Sequence, residues 1–490
     1  MADNSIKQKT ITGALWEGIH NGGAAVLAFI STIILARLLT PEDYGYIGMI
    51  AIFIAVAETL VNGGFGSALI QKKRPTDADY STVFFLNIGI SILLYLILFL
   101  CAPSISRFFH ASLLTGVLRV QGLIIIINAF RLIQENILRK KLQFKTIAIV
   151  EIVTAVVALA LVVFLAWKGF GVWALVIWRL FISITTTVVY WVISKWRPLM
   201  VFSKQSVREL FGFGGFLLLS SIINQVYANV QGLLIGHRYS ADVMGYYSKA
   251  LNAESLSSSL LSKVANNVSY PVMAEFQDNR DAMIGVLRKM TKFLLFITVP
   301  MMMLFLLIAE PLFVILYSER WLASVPYFRI LCFMGVFLCI EGVGNNSIAA
   351  LGKGRTYFWQ NLLKKITGIA IITCGMFVYG MTGLLIAMVL ASFFNYCVNL
   401  YTINKHVGYS IKQQITDALP VVFLTAISFT LCWLVGRILG INMYIVAIIQ
   451  AIFFVTIYIY GASILKVDSL IMLKEMITTF LKKTKLARNR

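Results

Sequence analysis

The sequence predicts an all-α protein that crosses a membrane many times. Three observations predict it: the composition, a series of long apolar stretches, and a one-sided distribution of Lys and Arg. Of the 490 residues, 59% are hydrophobic and 13% are charged, and the mean hydropathy is +0.84. Soluble domains carry about 25% charged residues, so this chain cannot cover itself with a solvated surface. The composition therefore excludes a soluble enzyme, a disordered chain and a disulfide scaffold.

The apolar stretches are long enough to cross a bilayer, whose hydrocarbon core requires about 20 residues of helix. The connections are short, and none could fold as a separate extramembrane domain. The polar N-terminal residues are not expected to form a cleavable signal peptide. The fourteen predicted spans are residues 11–36, 43–66, 82–102, 113–135, 146–167, 171–193, 210–235, 248–273, 290–316, 327–350, 358–379, 382–403, 415–436 and 441–465.

The basic residues predict the orientation of these spans. The even-numbered connections and both tails hold 30 of the 42 Lys and Arg residues, the opposite side holds six, and six lie in or beside spans. Such an excess is typical of cytoplasmic loops, so we expect both termini in the cytoplasm. Basic loops against an anionic leaflet also explain the net charge of +21 without a nucleic acid partner.

An internal repeat relates two halves of the chain. The segment from Leu35 to Tyr46 is matched 200 residues later, where Gly45 and Tyr46 correspond to Gly245 and Tyr246. A second match joins the residues that follow spans 4 and 10. Two six-span repeats inserted the same way up predict two lobes with a site between them, as in alternating-access transporters. The expected lobes are residues 1–200 and 201–405, followed by two extra helices and a basic cytoplasmic tail in 406–490.

Span 8 carries a polar stripe at helical spacing, which cannot face lipid. The stripe predicts a hydrated cavity, while hydrogen bonding between neighbouring helices is the alternative. Span 7 offers companion residues, among them Asn224. The stripe consists of Asn252, Ser255, Ser259, Lys263, Asn266 and Tyr270.

Charged residues inside spans indicate where an ionic group could bind. Arg179 and Lys263 are the deepest cations and the first candidates for holding an anion such as a phosphate, and Arg131 and Lys249 are further candidates. Arg131 could instead pair with Glu135 four residues on, and Lys249 could reach the membrane surface. Glu17 and Glu58 are candidate ion- or proton-coupling groups, with structural pairing as the alternative. No cofactor or metal site is expected from the scattered histidines and cysteines.

Several motifs together resemble the Wzx-type polysaccharide flippases of the multidrug/oligosaccharidyl-lipid/polysaccharide exporter superfamily. They are the Leu-x-Pro-x-x-Tyr-Gly pattern from Leu39 to Gly45, the segment 138–144 and the segment 169–175. The resemblance covers essentially the whole chain. It implies a bacterial inner-membrane protein that moves an undecaprenyl-pyrophosphate-linked oligosaccharide to the periplasmic leaflet by alternating access. It implies no catalytic residue.

Two other functions remain open from the sequence. A cation-coupled drug or metabolite antiporter of the same superfamily would require a decisive acidic residue in a compact site. A membrane glycosyltransferase or polymerase would require acidic catalytic groups and a sizeable extramembrane loop. We expect the lipid-linked saccharide and membrane lipids as partners, with glycosyltransferases and a polysaccharide polymerase as further candidates.

Overall fold

The structure is a computed structural model that describes residues 2–62, 66, 69, 72, 75–475 and 478, without the side chains of 2–15, 17, 19, 209–217, 259–261 and 263–268. The described residues form helices and no strand. The helices are α1 (Ala2–Leu38), α2 (Pro41–Asn62), α3 (Asp77–Phe108), α4 (Leu114–Lys140), α5 (Phe144–Trp167), α6 (Val172–Ser194), α7 (Lys204–Arg238), α8 (Ala241–Glu275), α9 (Arg280–Leu307), α10 (Ala309–Tyr317), α11 (Val325–Ala350), α12 (Gly354–His406), α13 (Ile411–Ile438) and α14 (Met443–Ile464), with a 3-10 helix at Glu319–Ser324 between α10 and α11.

The described helices include 12 that are long and apolar enough to cross a membrane. Their surfaces carry large apolar side chains that a soluble protein would bury, such as Leu100 and Ile438. Helix α8 is long but too polar to be counted among the 12. The chain is therefore an all-helical, multi-pass membrane protein.

Two of the helical regions are interrupted. The predicted span 290–316 is wrong as one helix, because α9 ends at Leu307 and a short helix α10 follows. Pro311 lies in the first turn of α10, where its missing N–H is tolerated, and it could not continue α9. Helix α12 contains a break at Tyr379 and Gly380, and Gly380 has a φ of 60°, which glycine adopts readily.

Polar side chains begin several helices at the connections that are rich in Lys and Arg. Thr76 and Asp79 form a capping box at the start of α3, and Ser410 forms one with Gln413 at the start of α13. Asn279 caps α9 by accepting a hydrogen bond from the Ala282 N–H. These caps satisfy N–H groups that the first turn of a helix leaves without partners.

The chain divides into two compact units, and unit 1 comprises residues 1–248. Within it α3 packs on α4, α4 on α6, α1 on α5 and α2 on α7. The start of α2 also meets the start of α8 at backbone distance. A Cβ atom on Gly45 would overlap the carbonyl oxygen of Ala241, and one on Gly245 would overlap that of Pro41.

Unit 2 comprises residues 249–490. Within it α11 packs on α9 and α12, and α13 packs on α9 and α14. An ionic cluster joins α9 to α13, since Asp417 accepts hydrogen bonds from Arg288 and Tyr409 and lies 3.2 Å from Lys292. Burial, together with the Asp417 carboxylate, raises the pKa of Tyr409 above its ordinary value.

Candidate functional site

A polar cavity of about 390 Å³ lies inside unit 1, between α2 and α4. Helix α4 contributes Asn128, Arg131, Glu135 and Arg139, which follow one another at steps of three, four and four residues. This spacing places them on one helix face, so that a single stripe of α4 forms one polar wall. The remaining lining residues are Glu58, Asn62, Gly66, Leu132 and Asn136.

Hydrogen bonds connect the cavity to the helices around it. Glu58 on α2 accepts a hydrogen bond of 2.7 Å from the Asn128 side chain on α4. Asn128 in turn accepts one of 2.7 Å from Ser183 on α6. A carboxylate within a membrane helix requires such partners, because leaving it alone in hydrocarbon is unfavourable. Glu58 is thus held in place by an amide and not by an ion pair within 4 Å among the described residues.

One carboxylate at the cavity forms ion pairs with two arginines. The Glu135 oxygens lie 2.9 Å from Arg139 Nε and 3.5 Å from Arg131 Nε, one helical turn to either side. Arg131 also donates a hydrogen bond of 3.2 Å to Thr186 on α6. The expected pairing of Arg131 with Glu135 is confirmed, and the same carboxylate also pairs with Arg139.

Arg179 lies on α6 with an exposed side chain. Its electrostatic neighbour is Glu58, one of the two carboxylates that line the cavity, while Arg179 is not itself among the lining residues. Within the described part of the chain it forms no ion pair shorter than 4 Å. The group formed by Arg131, Arg139, Arg179, Glu58 and Glu135 carries three positive and two negative charges.

Lys249 lies elsewhere, at the start of unit 2. Its side chain is fully buried, and its Nζ lies 4.3 Å from the ring centroid of Tyr317 and 5.0 Å from that of Trp321. Aromatic faces attract a cation, and more strongly where water is excluded. The role of Lys249 in binding stays a prediction.

The polar stripe of α8 is described in part. Asn252 and Tyr270 are exposed and Ser255 is half-buried, and the hydrated cavity beside the stripe stays a prediction. Asn224 on α7 is also exposed. The side chains of Ser259, Lys263, Asn266 and Glu17 lie outside the described residues, so their roles stay predictions.

Two polar features were not predicted from the sequence. Arg139 lines the cavity of unit 1. In unit 2, Lys364 is fully buried and donates hydrogen bonds to Glu341 at 3.2 Å, Asn345 at 3.0 Å and Asn399 at 2.6 Å. The four-residue spacing of Glu135 and Arg139 could have indicated the role of Arg139. The hydrogen bonds of Lys364 depend on contacts between distant segments.

Apolar helices that cross a membrane many times and enclose a charged, hydrogen-bonded cavity define a multi-pass membrane transporter. The chain belongs to the polysaccharide biosynthesis protein family, whose sequence profile matches residues 34–326, more than half of its length. The resemblance to the Wzx-type polysaccharide flippases is thereby confirmed at the level of this family.

Individual proteins show the same relationship. The chain is similar to the teichuronic acid biosynthesis protein TuaB of Bacillus subtilis, with 24% identity over 75% of this chain and 77% of that protein. It is similar to the lipopolysaccharide biosynthesis protein WzxC of Escherichia coli, with 22% identity over 89% of each. Among solved structures it is similar to the lipid II flippase MurJ in an inward closed conformation. The TM-score is 0.79 at 17% identity, covering 93% of this chain and 99% of that one, which shows a shared fold.

Proposed function

We propose that the protein is a flippase that moves an undecaprenyl-pyrophosphate-linked oligosaccharide from the cytoplasmic to the outer leaflet of the bacterial inner membrane by alternating access. The observation that carries this proposal is the cavity of unit 1, which two arginines and two carboxylates line inside a bundle of membrane helices, with Arg179 as the electrostatic neighbour of Glu58. No bond is made or broken in this process.

The cationic excess suits the pyrophosphate of such a lipid. Guanidinium groups bind phosphate oxygens through paired N–H donors, which makes arginine well suited to this ligand. Arg131 and Arg139 would share one pyrophosphate while Glu135 sets their orientation. Arg179 would provide a third contact, since it has no close ion pair among the described residues that a ligand would have to displace.

The saccharide requires polar surface as well. Moving sugar hydroxyls into hydrocarbon without hydrogen-bond partners is unfavourable by several kcal/mol. The exposed side chains of Asn224, Asn252 and Tyr270 would supply such partners, while the polyprenyl tail stays in lipid. The names of the relatives, which refer to teichuronic acid, lipopolysaccharide and lipid II, support a saccharide cargo over a drug-like cation.

We infer fourteen spans arranged as two repeats with a lobe boundary near residue 200. The 12 apolar helices include α12, whose break at Tyr379 and Gly380 yields two spans. Helix α8, with 35 residues, is long enough to cross although it is polar. The predicted cytoplasmic location of both termini follows from the charge asymmetry of the connections. Membrane glycosyltransferases that build the lipid-linked saccharide would supply the substrate, and a polymerase would use it.

The direct test is lipid translocation in proteoliposomes that contain a fluorescent undecaprenyl-pyrophosphate-linked oligosaccharide. Loss of one charged contact to a phosphate costs about 1.5–3 kcal/mol, which corresponds to roughly a 10- to 100-fold slower rate for Arg131→Gln or Arg139→Gln. The matched control is Arg119→Gln. The Arg119 guanidinium lies 4.2 Å from the Phe99 ring and donates to the Phe99 carbonyl, away from the cavity.

The control variant should translocate at the wild-type rate. Wild-type rates in both cavity variants, with the protein folded and correctly inserted, would overturn the assignment of this cavity. In cells, Arg179→Glu and Lys263→Glu should abolish assembly of the surface glycan while the protein remains abundant in the membrane.

A further inference from the structure

Glu254 on α8 is a carboxylic acid buried in unit 2, and only 1% of the residue is exposed. Its Oε1 atom is buried and has no hydrogen-bond partner among the described residues. Its Oε2 atom lies 3.5 Å from the Ser255 hydroxyl, at the limit of a hydrogen bond. No Lys, Arg or His of the described chain forms an ion pair with it. Glu254 therefore differs from Glu135 and Glu341, which have cationic partners, and from Glu58, which accepts a hydrogen bond of 2.7 Å from Asn128.

The surroundings of Glu254 are close-packed. Its Oε1 atom lies against Gly335 on α11 so closely that a Cβ at that position would overlap it. A Cβ on Gly335 would also lie 3.0 Å from the Met302 sulfur on α9. Gly335 thus leaves the space that the Glu254 carboxyl group occupies. A hydrated ion would not fit between the two residues.

The titratable groups that face Glu254 are two thiols on α11, those of Cys332 and Cys339, both of which lie in its electrostatic range. Helix α9 contributes Thr298 and Met302 at this level, and neither carries charge. On α8 itself, Lys249 lies five residues earlier in its cage of Tyr317 and Trp321. None of these groups supplies a positive charge at the carboxylate.

A buried carboxylate without a cation is strongly unfavourable, whereas the protonated acid is only a polar group. A metal ion would require a shell of several oxygen ligands. Here Ser255 and Ser258 are the hydroxyl-bearing neighbours, too few to complete such a shell. The geometry fits a proton.

We propose that Glu254 is a proton-binding site whose occupancy changes during the transport cycle. In the conformation seen here the carboxyl group is closed off from water and neutral. In the opposite conformation water reaches it, the O–H bond breaks, and the proton leaves to that water. When the protein next opens toward the other side of the membrane, the carboxylate takes a proton from the water there, and the O–H bond forms again before the group closes off. This proposal rests on the proposed transport function and adds the ion that drives it.

The first experiment needs no substrate. Infrared absorption spectra of the purified, membrane-reconstituted protein at neutral pH should show the C=O stretching band of a protonated carboxyl group. Glu254→Gln should remove this band. The control Glu310→Gln should keep it, because that side chain is 53% exposed and lies 3.7 Å from Arg329. An unchanged carboxyl band in Glu254→Gln would overturn the proposal.

The second experiment measures translocation of the fluorescent lipid-linked oligosaccharide with and without a proton gradient. The gradient should accelerate the wild type and Glu310→Gln several-fold and leave Glu254→Gln unaffected, while Glu254→Asp should respond partially. An equal response to the gradient in Glu254→Gln would also overturn the proposal. If the wild type moves no lipid but keeps the carboxyl band, the proposed substrate fails and the proton site stands.

Discussion

Gly45 and Gly245 lie 200 residues apart in the sequence and occupy equivalent places in one helix crossing. Each lets the backbone of its own helix touch the first residue of the other, Ala241 for Gly45 and Pro41 for Gly245. Small residues permit this approach between membrane helices, where packing replaces the hydrophobic effect as the driving force. The two copies of the sequence motif are therefore in direct contact within unit 1.

Adding one methyl group at this crossing should destabilise the protein. In Gly45→Ala or Gly245→Ala the new Cβ would meet a backbone carbonyl that cannot rotate away, so the helices must move apart. We expect each variant to lower the free energy of unfolding by about 1–3 kcal/mol. The double variant should lose less than the sum, since the first substitution already opens the crossing. Thermal unfolding in detergent measures both effects.

The control for this series is Gly89→Ala in the middle of α3. No heavy atom lies within 4 Å of a Cβ built on Gly89. Alanine is favoured over glycine in a helix by about 1 kcal/mol, so this variant should unfold at the same temperature as the wild type or higher. A loss of stability in Gly89→Ala equal to that in Gly45→Ala would show that the crossing has no special role.

Glu135 should set how strongly the cavity of unit 1 binds anions. Glu135→Gln removes the carboxylate that lies between Arg131 and Arg139 and raises the charge of the group by one. We expect inorganic pyrophosphate to bind several-fold more tightly to this variant, and roughly 10-fold or more weakly to Arg139→Gln. Isothermal titration calorimetry at two salt concentrations gives the affinities, and binding should weaken as salt rises.

The comparison variant for anion binding is again Arg119→Gln, which removes one positive charge outside the cavity. Its affinity should equal that of the wild type. Equal affinities in Glu135→Gln, Arg139→Gln and the wild type would mean that pyrophosphate binds at some other place.

Much of the fold follows from the sequence because apolar length is a local property. Membrane helices satisfy their own backbone hydrogen bonds, so a long apolar stretch predicts a helix wherever it lies. The pairing of Arg131 with Glu135 was predictable for the same reason, since both residues lie on one helix. The end of α9 at Leu307 was missed because continuous hydrophobicity hid it, although Pro311 indicated a boundary.

The remaining parts of the site depend on contacts that no local pattern reveals. Lys364 is fully buried because Glu341 approaches from α11 and Asn399 from beyond the break in α12. The Asn128 side chain is held by hydrogen bonds with Glu58 and Ser183, which lie on two other helices. Such pairings are set by tertiary packing, and the residues involved are separated by tens of positions in the sequence.

The ion pair of Lys364 and Glu341 supports unit 2 as long as both partners are present. Lys364→Met should lower the free energy of unfolding by about 3–5 kcal/mol, because the Glu341 carboxylate loses its hydrogen-bonded cation and keeps only the electrostatic attraction of Lys365. Adding Glu341→Gln should restore part of that loss, since a neutral amide needs no cation. A melting series of the two single variants and the double variant measures the recovery, and strictly additive losses would contradict this explanation.

The polar stripe of α8 should face water on one side only. We expect a cysteine at Asn252 or Ser255 to react with a membrane-impermeant maleimide, because these side chains are exposed and half-buried respectively. A cysteine at Ser258 should stay unreactive, since that residue is 5% exposed. The background should lack Cys101 and Cys374, which are exposed native thiols.

Extending the scan to Ser259 and Asn266 tests whether the reactive positions continue at steps of three and four residues. Blocked positions throughout would instead indicate dry packing between helices, and the saccharide would then need another route.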